Sequence, residues 1–222
     1  EGGSLRLFDF EPRISVGETY SDGGISSGNS SGGWITSVDP GFKLSRQAAR
    51  LKTDVNYSLS SRYYSVDSRN SIRHQLHANM FADLIERELF LDAMIIKRDQ
   101  LTSPLGTANI DSGLQNGNLT STTSWRVGPR WEHRFGRLVN SSLEYQIDRV
   151  SFDGEAANDS TGTNVRANLL SGSLFDTWFW AADYTDSDIR YSESDDRSQF
   201  ERYSATVGYN VSRKLNVFYV QG

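Results

Sequence analysis

Arg50-Leu51-Lys52-Thr53-Asp54-Val55-Asn56-Tyr57-Ser58-Leu59-Ser60-Ser61-Arg62-Tyr63 is the stretch that decides the fold. Its odd positions (Leu51, Thr53, Val55, Tyr57, Leu59, Ser61, Tyr63) are largely apolar. Its even positions (Lys52, Asp54, Asn56, Ser58, Ser60, Arg62) are all polar. Side chains on a strand alternate between faces, so this segment has one face suited to hydrocarbon and one suited to water. It exceeds the usual ~5–6 residues of a soluble strand and reaches the roughly 9–11 that a tilted strand needs to cross a bilayer.

The pattern recurs. Trp125, Val127, Trp131 and Phe135 alternate with Arg126, Gly128, Arg130, Glu132 and Arg134. Val139, Leu143, Tyr145 and Ile147 alternate with Asn140, Ser142, Glu144, Gln146 and Asp148. Arg73–Leu84 and Arg202–Val211 repeat it, and shorter or noisier versions lie at 13–20, 34–44, 89–98, 164–172, 177–185 and 215–221. Eleven strands are expected. The fold class they define is all-β, an antiparallel up-and-down transmembrane β-barrel.

Composition is compatible with this. The chain has 36% hydrophobic residues, a mean hydropathy of -0.54 and no apolar run near the ~20 residues of a membrane helix. Aromatics make up 12%, and prolines number only four. No cysteine is present, which excludes disulfide staples and thiolate metal sites. A net charge of -5 argues against nucleic acid as a partner. No signal peptide is visible, and Glu1-Gly2-Gly3 reads as the start of a mature or trimmed chain.

Connection lengths alternate as well. Long polar connections are expected at 21–33, 64–71, 99–120, 151–163 and 185–199, and short ones at 45–50, 85–88, 136–137, 173–176 and 212–214. Outer-membrane barrels put short turns in the periplasm and long loops outside. The first and eleventh strands then both run outward. Single-chain bacterial barrels have an even strand number. Residues 1–222 are therefore expected to be one barrel domain, incomplete at its C-terminal end.

Short pieces in fixed order carry a family resemblance: Arg13-Ile-Ser-Val-Gly-Glu-Thr-Tyr-Ser-Asp22, Pro40-Gly-Phe42, Asn56-Tyr57, Glu88-Leu-Phe-Leu-Asp-Ala93, His133-Arg-Phe-Gly136, Tyr145 with Asp148-Arg-Val150, Ser171-Gly172, and Tyr203 with Tyr209. The chain resembles the N-terminal half of outer-membrane β-barrel proteins associated with PEP-CTERM/exosortase and exopolysaccharide gene clusters. It departs from them at Asp22-Gly-Gly, where the family tends to have an Asp-Asn pair. The resemblance implies a non-enzymatic role in exopolysaccharide export or assembly in the outer membrane of a Gram-negative bacterium. Implied partners are outer-membrane lipid and lipopolysaccharide, exopolysaccharide and periplasmic export proteins. A structural sheath holding a partner protein in its lumen is the competing reading, and a soluble β-sheet protein is a third.

The polar register supplies the candidate site. Its cations include Lys52, Arg62, Arg73, Arg126, Arg130 and Arg134, with Arg13, Lys43, Arg98, Arg166 and Arg202 elsewhere in the chain. Its carboxylates include Glu144 and Asp148, with Asp39, Asp54, Asp83, Asp92, Glu132 and Asp183. Such a lumen holds sugar hydroxyls or carboxylates, or else neutralises itself through cross-strand ion pairs. His74 and His133 fall on the apolar register and His77 on the polar one; with no Gly-x-Ser-x-Gly motif, no catalytic residue is expected. No cofactor or metal is expected either. The acidic run Thr185–Asp196 is read as a solvated loop in preference to a Ca²⁺ site. The glycines at 113 and 117 are turn residues, because no helix follows to make a phosphate cradle.

Two aromatic belts complete the pattern: Tyr20, Trp34, Tyr63, Trp125, Tyr184 and Tyr203 near the long loops, and Phe42, Trp131, Phe135, Trp178 and Tyr209 nearer the short turns. The tight connection after Phe135 also fixes a register, placing Arg130 opposite Glu144, Arg126 opposite Asp148 and Arg134 near Asn140. The face assignment is testable by substitution. Val55→Arg should lower folding stability in lipid vesicles by about 2–4 kcal/mol, while Asn56→Arg should leave it nearly unchanged. Equal effects in a denaturant titration would mean that the faces are misassigned.

Overall fold

A computed structural model describes residues 8–21, 32–65, 69–101, 119–153, 159–192, 196–212 and 215–222. Eleven strands follow one another: β1 Asp9–Ser21, β2 Gly33–Gln47, β3 Leu51–Tyr64, β4 Arg69–Ile85, β5 Leu89–Leu101, β6 Leu119–Phe135, β7 Val139–Asp153, β8 Ser160–Ser171, β9 Trp178–Tyr191, β10 Arg197–Ser212 and β11 Leu215–Gln221. They form one sheet in sequence order, each strand antiparallel to the next. The fold is all-β and up-and-down, and among the described residues there is no helix. The sheet is open, with β1 and β11 at its edges. Both edge strands run toward the long connections, so they cannot meet as antiparallel neighbours.

Expected and observed strand ends agree closely at the short turns. At the long connections most strands run further than the alternation predicts. Residues 119–123, 149–153, 186–191 and 197–201 are ladder, so the expected long connections at 151–163 and 185–199 shrink to 154–159 and 192–196. Backbone pairing continues there although the outward side chains have become polar: Lys97, Ser151, Asp153, Asp186, Asp188, Arg197 and Glu201. Hydrogen bonding between main chains does not need the apolar face that makes alternation visible. The expected glycine turns at 113 and 117 lie outside the described residues.

The register of the β6–β7 hairpin is as expected, with Arg130 opposite Glu144, Arg126 opposite Asp148 and Arg134 opposite Asn140. Gly136 closes the turn at a φ of 57°, a left-handed conformation natural to glycine. Pairing skips a step at Pro40 and again at Gly128-Pro129, where proline has no N–H to donate.

Parity carried across the ladder puts every polar-register charge named above on one face. Gly41, Gly128, Gly162 and Gly208 lie on that same face, and a Cβ at any of them would come within 2.0–2.7 Å of a neighbouring atom. Side chains from adjacent strands fill this room: Arg13 beside Gly41, Asp148 beside Gly162, and the Phe179 ring over Gly208. Crowding of this kind marks the face on which side chains converge. Gly208→Ala should therefore cost about 1–3 kcal/mol by evicting the Phe179 ring. Combining it with Phe179→Ala in a double-mutant cycle should recover ~0.5–3 kcal/mol as coupling. Strict additivity in unfolding titrations would contradict the ring's placement.

Candidate functional site

The two faces differ chemically from β3 to β10. On the outward register, the stretches Thr53–Tyr63, Leu89–Ile95, Trp125–Phe135, Val139–Ile147, Trp178–Tyr184 and Tyr203–Tyr209 carry no Asp, Glu, Lys or Arg. Aromatic pairs bound this zone. Tyr20 packs on Trp34 (5.3 Å) and Tyr184 on Tyr203 (4.9 Å) near the long connections, and Trp178 packs on Tyr209 (4.8 Å) near the turns. From Trp125 to Phe135 is ten residues, about 33 Å along a strand.

Above the upper aromatic pairs the outward face turns ionic. Lys97 reaches Asp153 at 3.2 Å and Arg149 reaches Asp159 at 3.5 Å. Asp188, expected in an acidic loop, instead sits on strand β9, where it accepts hydrogen bonds from Arg197 (2.6 Å) and Arg190 (3.2 Å). This occupied carboxylate is a strand-end clasp. Among the described residues no group of three or more His, Asp or Glu could hold a metal. The two outward histidines are also engaged: Tyr57 Oη lies 2.8 Å from His74 Nδ1, and His133 Nδ1 lies 3.3 Å from Glu88 while stacking on Trp131.

On the polar face, the site residues fall into groups. Lys52, Arg126 and Glu144 line one concavity of about 280 Å³, together with Asp54, Asp92 and Gln146. Arg134 lines a second, of about 650 Å³, toward the short turns, with Glu132, Asn140 and Asn168. Asp148 accepts from Asn164 Nδ2 at 2.9 Å and from Gln146 Nε2 at 3.4 Å. Arg73 reaches Asp99 at 3.5 Å, beyond the last paired step of β4 and β5 at Leu76 and Lys97. Arg62 sits opposite Ser37 and Ser71, nearer the long connections.

Neither opposite-charge pair expected across the β6–β7 hairpin closes among the described residues; Asp148, opposite Arg126, accepts from Asn164 and Gln146 instead. Arg130 faces Glu144 in register, yet its ion pairs among the described residues are with Glu132 on its own strand and with Asp92 at 3.9 Å on β5. The cause is the Phe90 ring. Arg130 lies over it at 5.0 Å, and that stacking turns the guanidinium toward β5 and away from β7. Glu144 is left beside Arg126 in the concavity, and among the described residues Arg126 has no carboxylate within ion-pair distance. Sequence reasoning also drew nothing from Phe90 and its neighbour Phe81, two rings on the polar register stacked at 5.7 Å. The available signal was an apolar ring on the polar parity at both sides of the turn 86–88.

Comparisons of the chain with protein-family models, with curated proteins and with solved structures return no match. The site therefore stands on its own geometry.

The Asp188 clasp has a defined pH response. The hydrogen bond from Arg197 is the largest influence and holds this carboxyl below its ordinary value of 3.8. A depressed native value gives stability that is present above 3.8 and is lost as pH falls through the lower native value. Amide exchange at the loop end of β9 and β10 should accelerate as pH falls below 3.8, beyond the intrinsic rate. Arg197→Gln should remove that acceleration; an unchanged pH profile in the variant would contradict the clasp.

Proposed function

We propose that this chain forms wall of an outer-membrane β-barrel whose polar face lines a hydrated pore serving exopolysaccharide export or assembly. The observation that carries the reading is the sheet's uncovered apolar face. Ile35 and Tyr64 are the buried apolar side chains among the described residues, while Ile14, Trp178 and Tyr203 are 70%, 58% and 62% exposed. A soluble domain hides such a face beneath a second layer. A single layer with an apolar face, aromatic borders and a polar opposite face fits hydrocarbon on one side and water on the other.

Closure follows from strand direction. An inward-running strand must lie against β1 and another (or the same) against β11, so a wholly antiparallel barrel adds an odd number of strands to these eleven. Lipid and lipopolysaccharide would meet the apolar face, and periplasmic export proteins would meet the short turns. The pore face mixes both signs: Arg126, Arg130 and Arg134 lie among Glu132, Glu144 and Asp148. A strong polyanion would favour a one-sided basic lining, so this mixture suits a neutral or weakly acidic polymer. The resemblance to exopolysaccharide-associated barrels supports the same cargo.

A second reading, a sheath around a partner protein, draws on one feature. Near the β11 edge the pore face becomes apolar, with Phe179 over Gly208 and with Phe200, Phe218 and Val220 exposed. A protein segment in the lumen would cover such a patch.

Extraction and conductance separate these readings. The protein should resist carbonate, leave the outer-membrane fraction only with detergent, and give stable currents in planar bilayers. The double variant Arg126→Gln with Arg130→Gln should shift the reversal potential toward cation selectivity. Release without detergent would overturn the membrane reading. Electrically silent protein that co-purifies with a stoichiometric partner would replace the pore with the sheath.

A further inference from the structure

A row of four side chains crosses the polar face from β3 to β6: Lys52, Phe81, Phe90 and Arg130. The two rings are close to parallel, 24° between planes, with centroids 5.7 Å apart. Rings in face contact sit about 3.5 Å apart, so this separation means that they are slid past one another and leave ring surface open. Lys52 Nζ stands 6.0 Å from the Phe81 centroid, and the Arg130 guanidinium 5.0 Å from that of Phe90. Asn79 and Asp83 flank Phe81 along its strand on the same face, and Asp92 follows Phe90. Apolar rings in so polar a setting expose surface that water solvates poorly.

Beside them lies the concavity of about 280 Å³, with Phe81 in its wall. That is just below the ~300–1,000 Å³ of small-ligand sites, and it suits one residue of a polymer better than a whole oligosaccharide. Lys52, Asp92, Arg126 and Glu144 also line it. Arg126 is held by no ion pair among the described residues, and Glu144 faces Arg130, whose charge is engaged elsewhere.

We propose that this concavity is a saccharide subsite. A sugar has an apolar C–H face and a rim of hydroxyls. The Phe81 ring in its wall, backed by the stacked Phe90 ring, takes the first, and Glu144, Asp92, Arg126 and Lys52 take the second, with the two cations also able to hold a uronate carboxylate. The subsite rests on the reading of this face as a passage for polysaccharide and narrows the cargo to chains with C–H-rich residues. A cation–π row that merely braces the strands would show the same contacts without sugar affinity.

The test uses the full chain purified in detergent with two probes, maltohexaose and a galacturonate hexamer. Binding is followed by titration calorimetry and by saturation transfer from protein aromatic protons to sugar protons. Wild-type protein should bind at least one probe and transfer saturation to its ring C–H protons. Phe81→Leu with Phe90→Leu should weaken that binding roughly tenfold and abolish the transfer. Phe135→Leu, on the opposite face, should change neither.

Should the double leucine variant fail to fold, Lys52→Gln with Arg126→Gln keeps the proposal exposed. It should weaken the galacturonate hexamer more than maltohexaose, and an equal or absent effect would overturn it. A protein that carries current but binds neither probe overturns the subsite and spares the pore. Binding lost with the rings in a protein that carries no current supports the subsite and removes the pore.

Discussion

Two faces on every strand, kept apart by the pleat, are the constraint on which the rest depends. In an antiparallel ladder each paired position hands its face to its neighbour, so one parity choice at β1 propagates to β11. A slip of a single residue in any hairpin would turn all later strands inside out. The turns guard against this, as where Gly136 takes the left-handed conformation that closes β6 on β7 in register. Once parity is kept, the remaining architecture follows. Charges collect on one face, and apolar residues and aromatic borders on the other.

That constraint explains which parts of the fold were legible in the sequence. Strand ends at the short turns could be read almost to the residue, because alternation there is strong and turn residues interrupt it. Strand ends at the long connections were placed too early. Asp186, Asp188, Glu201 and Gln199 sit on the outward register, where apolar residues were the signal being followed. Main-chain pairing extends past the aromatic border into a zone where the outward face has turned polar. The boundary visible in the sequence was thus a change of surroundings, and the strand itself goes on.

The site was legible at the level of faces and not at the level of partners. Parity placed Lys52, Arg62, Arg73, Arg126, Arg130, Arg134, Glu144 and Asp148 together on one face. It could not say that Arg130 would lie on Phe90 and take Glu132 and Asp92, because that choice depends on a ring from β5. Nor could it foresee that Asp148 would turn from Arg126 on β6 to lie against Gly162 and accept from Asn164 on β8, a choice that shows only when β6, β7 and β8 are side by side. Partner choice on a crowded face is a three-strand property, and alternation is a one-strand signal.

If the sheet parts hydrocarbon from water, odd and even positions of one strand meet different solvents. The chain contains no cysteine, so single cysteines can be introduced along residues 51–63 and labelled with a membrane-impermeant maleimide in lipid-reconstituted protein. Reagent entering through an open lumen should label positions 52, 54, 56, 58, 60 and 62 and spare 53, 55, 57 and 59, with a lipid-soluble maleimide giving the opposite preference. Labelling without a period of two, or equal access of the water-soluble reagent to both registers, would contradict the claim.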